Sequence, residues 1–278
     1  MRLATLRTTS GTIAVRIDGD TAVEISDVTD VGALLSDPAW RERARVADGA
    51  RRPVAGIADA EWAPVVPEPA KIVCVGLNYR NHILEMGREL PEYPTLFAKY
   101  PEALLGPYDP IVLPAVAPDA VDWEAELAIV IGATARNLDE VDAAAAIAGY
   151  SIMNDVTMRD YQYRSPEWFQ GKTFEATAPF GPLLVTTDEF ELGGILSSTV
   201  DGERVQQTPT DDLVFGPARL VSYISQIFTL RPGDVIASGT PGGVGHARKP
   251  PRYLTPGAVL ETAIEGIGTL RNTVVAGG

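Results

Sequence analysis

Polar and apolar residues alternate, and then give way to a purely apolar run, between residues 121 and 131. The run Leu-Ala-Ile-Val-Ile at 127–131 is typical of a buried strand. Ahead of it, Asp122, Glu124 and Glu126 occupy every second position. Because side chains alternate between the two faces of a strand, these carboxylates are predicted to point the same way. The pattern therefore predicts a central strand that begins in an acidic patch.

The first 66 residues are predicted to form a small N-terminal α/β domain. Weak alternation over residues 2–25 indicates an antiparallel meander, and residues 31–47 indicate a helix interrupted near Pro38. The stretch 53–69 is rich in proline and is typical of a connector. Residues 67–278 are therefore assigned to a second, larger domain.

The larger domain is predicted to contain short strands, helices and hairpins. After a strand at 71–76, a helix is predicted over 81–89. The proline-rich segment 87–114 is predicted to be a long irregular loop, in which Phe97 packs and Lys99 lies at the surface. The remaining predicted elements are strands at 149–153, 183–185 and 234–237, helices at 138–148 and 217–230, and hairpins at 197–207 and 259–275.

The composition is that of an ordinary globular protein, with 278 residues of which 45% are hydrophobic. A formal net charge of -14 argues against nucleic acid or an anionic membrane as a partner. No apolar run approaches the ~20 residues that span a bilayer. The N-terminus lacks the apolar core of a signal peptide, so a cytoplasmic location is expected. The one cysteine, Cys74, has apolar neighbours, which predicts a buried thiol.

Several local patterns suit chemistry, and each has a plainer alternative. The carboxylates at 122–126 would repel one another if buried, and Mg²⁺, Mn²⁺ or Ca²⁺ would remove that cost, but a solvated strand face explains them equally well. His82 and Glu85 share a helix face, either as a general base with its orienting carboxylate or as a surface ion pair. Asp155 suits a metal ligand or a helix cap. The glycine-rich stretch 238–245 could hold an anion or form a tight turn.

Five motifs resemble those of the fumarylacetoacetate hydrolase family, and they follow the family's order over about residues 71–275. They are Gly-Leu-Asn-Tyr-x-x-His-x-x-Glu (76–85), Asp-Trp-Glu-x-Glu-Leu-Ala (122–128), Asn-Asp-Val-Thr-x-Arg-Asp-x-Gln (154–162), Gly-Lys-x-Phe (171–174) with Ala-Pro-x-Gly-Pro (178–182), and Ser-Gly-Thr-Pro-x-Gly-Val-Gly (238–245). Any one is weak, but five in order are specific. One position departs, because many relatives carry Asp where this chain has Glu175.

The resemblance implies which residues would bind a metal ion and which would act on the substrate. The residues that match the family's metal ligands, for Mg²⁺ or Mn²⁺ with Ca²⁺ as a substitute, are Glu124, Glu126 and Asp155. His82 and Glu85 match a water-activating pair, and Lys172 matches a lysine that contacts the reacting oxygen.

The resemblance also implies a substrate site. Gln162 and Thr240 match substrate-contacting positions, and Arg159 and Gly239 are assigned to the same site. Asp122 is expected to lie outside the set of metal ligands. His246 matches no catalytic position and is interpreted as a loop histidine.

The resemblance also implies a fold and a reaction. The expected fold is α+β and β-rich, a mixed β-sandwich roll of the fumarylacetoacetate hydrolase C-terminal domain type with a small N-terminal α/β appendage, usually as a homodimer. The expected reaction is hydrolysis of a C–C bond in a diketo acid such as an acylpyruvate or fumarylpyruvate. Water would be activated by the His-Glu pair and the enolate held by the metal.

Other reactions remain open at this point. Decarboxylation of an oxaloacetate-like acid, and tautomerisation, isomerisation or hydration of unsaturated 2-keto acids, would use the same carboxylates. A non-catalytic metal-binding protein is the alternative from another class.

Overall fold

The computed structural model describes residues 1–85, 87 and 89–277, apart from the side chains of His82 and Glu85. The strands are β1 (Arg2–Thr8), β2 (Gly11–Asp18), β3 (Thr21–Glu24), β4 (Arg51–Pro53), β5 (Ile72–Gly76), β6 (Thr95–Lys99), β7 (Leu104–Leu105), β8 (Ile111–Leu113), β9 (Val121–Asp122), β10 (Ala125–Ile131), β11 (Ile147–Asn154), β12 (Thr157–Met158), β13 (Ala178–Thr186), β14 (Ile195–Val200), β15 (Glu203–Pro209), β16 (Val235–Ala237), β17 (Val259–Ile264) and β18 (Gly268–Ala276).

Helices are short and few compared with the strands. The α-helices are α1 (Val31–Leu35), α2 (Trp40–Arg45), α3 (Arg80–Glu85), α4 (Glu140–Ala145), α5 (Arg159–Gln162), α6 (Phe169–Lys172) and α7 (Pro217–Ile227). Single 3₁₀ turns lie at Val54–Gly56, Asp59–Glu61, Pro101–Ala103 and Gly245–Ala247. In the described parts of the chain, no helix is long and apolar enough to cross a membrane.

The main sheet has the strand order β4-β3-β2-β1-β13-β11-β10-β16-β5-β6, with β7 paired to β13. Strand β10 pairs antiparallel with both β11 and β16, which makes it a central strand as predicted. Leu127 and Ile129 enter one hydrophobic core with α7, whereas Ala128 and Val130 enter a second core with α1 and α2. The apolar run therefore arises because both faces of β10 are covered.

A second sheet has the order β15-β14-β17-β18-β8. The hairpin predicted at 197–207 is confirmed as β14 and β15, and its turn places Asp201 and Gly202 at φ values of 54° and 79°. Positive φ at both central positions is typical of a type I′ turn, which favours glycine. The final hairpin is also confirmed, as β17 and β18. The mixed, β-rich α+β fold expected from the sequence is therefore confirmed.

The N-terminal segment joins the main sheet instead of standing apart from it. Strands β1 to β3 form the predicted antiparallel meander, and β1 pairs with β13 through Leu3 and Leu184. The predicted interrupted helix is confirmed as α1 and α2, which flank Pro38. The division at residues 66 and 67 remains a prediction, since the two segments share one sheet.

The segment 87–114 is more regular than predicted. It contributes β6 at the edge of the main sheet beside β5, β7 beside β13, and β8 beside β18. Its prolines fall just outside these strands, as Pro94 precedes β6 and Pro114 follows β8. The irregular loop was therefore a wrong prediction, because backbone partners distant in sequence order a stretch whose local pattern is weak.

Cys74 lies in β5 and its side chain is fully buried, as predicted. Burial raises the pKa of its thiol well above the usual range. We expect Cys74 to resist an aromatic disulfide reagent in the native protein and to react fully after unfolding in guanidinium, as measured by released thiolate. Rapid stoichiometric reaction of the native protein would contradict this placement.

Candidate active site and metal centre

Three carboxylates from the two central strands meet at one end of the main sheet. Glu126 lies in β10, Glu124 immediately precedes β10, and Asp155 immediately follows β11. Because β10 and β11 are antiparallel, strand pairing brings these positions together, and the Asp155 N–H donates to the Glu124 carbonyl at 2.8 Å. One oxygen from each carboxylate lies within 4.8 Å of the others, and all three residues are buried. The three residues matched to metal ligands thus lie in a site that could bind a divalent ion.

Glu126 is the least compensated of the three carboxylates. Its burial and the nearby charges of Asp155 and Glu124 raise its pKa well above the usual range. The Gly239 N–H donates to Glu126 Oε2 at 2.9 Å, which opposes that shift without reversing it. A divalent cation would supply the positive charge that the ionised form of Glu126 lacks.

Lys172 lies against the other two carboxylates. Its Nζ donates to Glu124 Oε2 at 2.7 Å and to Asp155 Oδ2 at 2.9 Å. Burial alone would lower the pKa of this lysine, but the carboxylates of Asp155 and Glu124 outweigh burial and raise it. Lys172 is therefore held as a cation, which suits stabilisation of negative charge and does not suit a general base.

Arg159 links the carboxylate cluster to neighbouring polar groups. Its guanidinium contacts Asp122 Oδ2 at 2.7 Å and Glu124 Oε1 at 2.8 Å, and donates to Gln162 Oε1 at 2.8 Å. The short pairing of β9 with β12 places Asp122 beside Arg159. Asp122 also accepts the Gly245 N–H at 2.7 Å, and it lies outside the cluster of three.

If all of its carboxylates are ionised, the charges of the cluster do not balance among its own residues. Four buried carboxylates face three buried cationic side chains, and the members are Asp122, Glu124, Glu126, Asp155, Lys99, Lys172 and Arg159. A divalent cation would change the net charge of the cluster from negative to positive. The site could then attract an anionic substrate. Oxygen-only ligands are those that Mg²⁺ and Mn²⁺ prefer, so the residues fit such an ion.

Lys99 was predicted to be a surface residue, and that prediction was wrong. Its side chain is fully buried, its Nζ lies 2.8 Å from Asp155 Oδ1, and it donates to the carbonyl of Lys172. With Lys172 on the opposite oxygen, the pKa of Asp155 lies below its usual range despite burial. The sequence indicated burial of Lys99 only by placing it in a short, mostly apolar stretch between Pro94 and Pro101. No pattern of neighbouring residues pairs that stretch with Asp155.

A close approach of α5 and α6 places Lys172 under the carboxylates. Gly171 permits this contact, because a Cβ at that position would lie 2.5 Å from the Gln162 backbone nitrogen and 2.6 Å from the Met158 carbonyl. On its other side, Lys172 Nζ lies 5.5 Å from the Phe97 ring, which packs edge-on against Trp168. Phe97 is therefore a packing residue, as predicted.

The glycine-rich stretch 238–245 forms the wall beside Glu126. Gly239 has a φ of 99°, and its N–H is already used by Glu126. Thr240 Oγ1 donates to the Ala125 carbonyl at 3.0 Å and accepts from Gln206 Nε2 at 2.8 Å. Gln206, which the sequence did not single out, therefore positions Thr240. Substrate contacts by Thr240 and Gly239 remain predictions.

A cleft of about 300 Å³ opens over this cluster. Its lining includes Glu124, Glu126, Arg159, Gln162, Lys172 and Thr240, together with half-buried Trp168 and exposed Tyr163 and His246. A larger cavity of about 820 Å³ lies between α1 and the turn at 132–134, away from the carboxylates. The smaller cleft is the candidate active site because charged and polar groups converge there.

His82 and Glu85 belong to α3, which begins at Arg80. Their side chains lie outside the described residues, so the water-activating pair remains a prediction. Asn78, which precedes α3, donates through Nδ2 to the carbonyls of Phe215 and Ser238 at 3.1 and 2.8 Å.

Comparison with known proteins identifies a family and several similar proteins. Residues 71–275 match the family described as fumarylacetoacetate (FAA) hydrolase, C-terminal. Over 236 residues, the chain is 41% identical to the mitochondrial oxaloacetate tautomerase FAHD2A of Homo sapiens, covering 84% of this chain and 75% of the relative.

Two solved structures resemble the chain along its whole length. Fumarylacetoacetate hydrolase from Exiguobacterium antarcticum has a TM-score of 0.87 and 33% identity, and covers 100% of both chains. The 5-carboxymethyl-2-hydroxymuconate delta-isomerase from Mycobacterium smegmatis has a TM-score of 0.82 and 35% identity, also over 100% of both chains. Hydrolases, isomerases and tautomerases thus all occur among proteins similar to this one.

Proposed function

Because the chain belongs to the fumarylacetoacetate hydrolase family, we propose that it is a metal-dependent enzyme that interconverts the keto and enol forms of an oxaloacetate-like 2-keto acid. The observation that carries this proposal is the buried cluster of Glu124, Glu126 and Asp155 beneath the cleft. The name of the human relative supports the substrate class, since that protein is an oxaloacetate tautomerase and is 41% identical.

Each polar group of the cleft has a part in this reaction. Glu124, Glu126 and Asp155 would hold Mg²⁺ or Mn²⁺, which would polarise the keto oxygen and acidify the adjacent C–H. The Lys172 ammonium would donate to the oxygen on which negative charge develops. Because Arg159 occupies Gln162 Oε1, the NH₂ group of Gln162 is left to donate to a bound acid.

The test is the decay of enol-oxaloacetate absorbance with protein that has been stripped of metal and then supplied with Mg²⁺ or Mn²⁺. We expect catalysed ketonisation that requires the metal and disappears on adding EDTA. NMR analysis of the products separates the alternatives, because loss of CO₂ would indicate a decarboxylase. If ketonisation is equally fast with and without the metal-loaded protein, the proposal is refuted.

Hydrolysis of a C–C bond in an acylpyruvate or fumarylpyruvate is the second candidate. It is favoured by the motif that contains His82 and Glu85, because an attacking water needs a general base and tautomerisation has no attacking water. Pyruvate plus a free carboxylic acid would be the NMR signature of this reaction.

Replacing His82 with alanine should separate the two candidates. We expect His82→Ala to abolish any hydrolysis of acetylpyruvate, a loss of about 10²-fold or more, and to leave Mn²⁺ affinity unchanged. Calorimetric titration with Mn²⁺ provides the binding control on the same samples. Full hydrolytic turnover in the variant would show that His82 is not the base.

We also propose a homodimer, because the family resemblance implies one, and light scattering after size exclusion would measure the mass. The cytoplasmic location remains a prediction, and the human relative is a mitochondrial protein by its name. Localisation of a fluorescent fusion in the native host would test it.

A further inference from the structure

His246 lies at the outer part of the cleft, although the sequence assigned it no role. His246 is exposed, and it lines the cleft together with Glu126, Arg159 and Lys172. We propose that His246 determines specificity by binding the distal carboxylate of a dicarboxylic 2-keto acid. This inference rests on the proposed function and deepens it by naming the residue that recognises the second carboxylate of an oxaloacetate-like acid.

A backbone hydrogen bond fixes the position of His246 relative to Asp122 and Arg159. Its N–H donates to Asp122 Oδ2 at 2.9 Å, and the same oxygen contacts the Arg159 guanidinium at 2.7 Å. Gly245 allows the tight approach, because a Cβ there would lie 2.7 Å from Asp122 Oδ1 and would collide with the Arg252 carbonyl. The position of His246 is thus tied, through Asp122 and Arg159, to the metal-ligating cluster.

Two tyrosines orient the imidazole ring. The Tyr163 ring lies 5.1 Å from the His246 ring between centroids, at 36° between planes. His246 Nδ1 lies 2.9 Å from the Tyr253 hydroxyl. A phenol is a stronger donor than a neutral imidazole N–H, so we assign the hydroxyl as donor to Nδ1. The ring proton is then on Nε2, which leaves Nε2–H to donate to a bound molecule.

The two cationic side chains among the described lining residues, Arg159 and Lys172, are already paired. Arg159 contacts Asp122 and Glu124, while Lys172 contacts Glu124 and Asp155. Among the lining residues whose side chains the structure describes, His246 is the basic residue with no carboxylate partner. An acid that binds through its 2-keto carboxylate over the metal cluster would extend its far end outward. A second carboxylate at that outer end would meet the Nε2–H of His246, while the NH₂ group of Gln162 remains for the inner carboxylate.

Binding of a matched pair of non-reacting acids tests this assignment. Malate and 2-hydroxybutyrate both have four carbons and a 2-hydroxy acid group, and malate carries the additional distal carboxylate. Dissociation constants would be measured by calorimetry on the Mn²⁺-loaded protein for wild type, His246→Ala and His246→Gln. Because neither acid turns over, the result does not depend on which reaction the enzyme catalyses.

We expect wild type to prefer malate, and His246→Ala to weaken malate about tenfold while leaving 2-hydroxybutyrate unchanged. His246→Gln should recover part of the loss, since its amide can also donate. Equal weakening of both acids, no effect on either, or a wild type without preference for malate would overturn the inference. Failure of the ketonisation assay together with a retained malate preference would overturn the proposed reaction and leave this recognition intact.

Discussion

Replacing Glu126 with glutamine should abolish metal-dependent turnover and leave the metal-free fold at least as stable as that of the wild type. Glutamine keeps the shape of Glu126 and an oxygen that can accept from Gly239, but it removes one of the three carboxylates that could hold a metal ion. Loss of a group that only orients a ligand typically costs 10–100-fold in metal affinity. We therefore expect Glu126→Gln to weaken Mn²⁺ binding by more than about 100-fold.

The stability part of this prediction follows from the raised pKa of Glu126. A carboxyl whose pKa is higher in the folded than in the unfolded state contributes its stability fully below the unfolded pKa, and that contribution is lost as pH rises through the folded pKa. The metal-free wild type should therefore lose stability over that pH interval. Glu126→Gln should not show this loss, because the amide does not titrate.

Thermal melts in EDTA across a pH series, together with calorimetric Mn²⁺ titrations, measure both effects. Glu167→Gln is the matched control, since it removes a carboxylate at an exposed position. Wild-type metal affinity in Glu126→Gln would show that Glu126 is not a ligand. A metal-free variant that melts well below the wild type would show that the carboxylate stabilises the fold.

Replacing Lys99 with methionine should destabilise the protein by about 3–5 kcal/mol, the usual cost of breaking a buried ion pair by removing one partner. Methionine fills most of the volume, but it leaves Asp155 Oδ1 without its cationic partner and the Lys172 carbonyl without its donor. Because Lys99 contacts both Asp155, which could hold the metal ion, and the backbone of Lys172, metal affinity should fall as well.

Urea unfolding of the metal-free proteins gives the free energy of unfolding. Arg45→Met is the matched control, because Arg45 and Glu42 are also 2.7 Å apart but are mostly exposed. Its stability should hardly change, since exposed ion pairs contribute little. If Lys99→Met were as stable as the wild type, Lys172 alone would suffice to compensate Asp155.

Much of the local structure could be predicted because it depends on neighbours in the chain. The run of apolar residues was sufficient to predict β10. The turn residues Asp201 and Gly202 were sufficient to predict the hairpin. The helix predicted at 138–148 corresponds to α4, which Asp139 caps by accepting from two backbone N–H groups. Strands β6 to β8 were missed, because each is ordered by a partner far away in sequence.

The sequence by itself determined the family, the central strand and the three carboxylates that could hold a metal ion. These depend on residue types at short spacings and on motifs in order, which need no coordinates. Only the tertiary structure decided which cations meet those carboxylates. Lys99 and Asp155 are distant in the chain, so no local pattern pairs them, and a lysine becomes buried only where packing supplies a carboxylate. Likewise, His246 gained a place in the cleft through contacts with Asp122 and Tyr163 that folding alone creates.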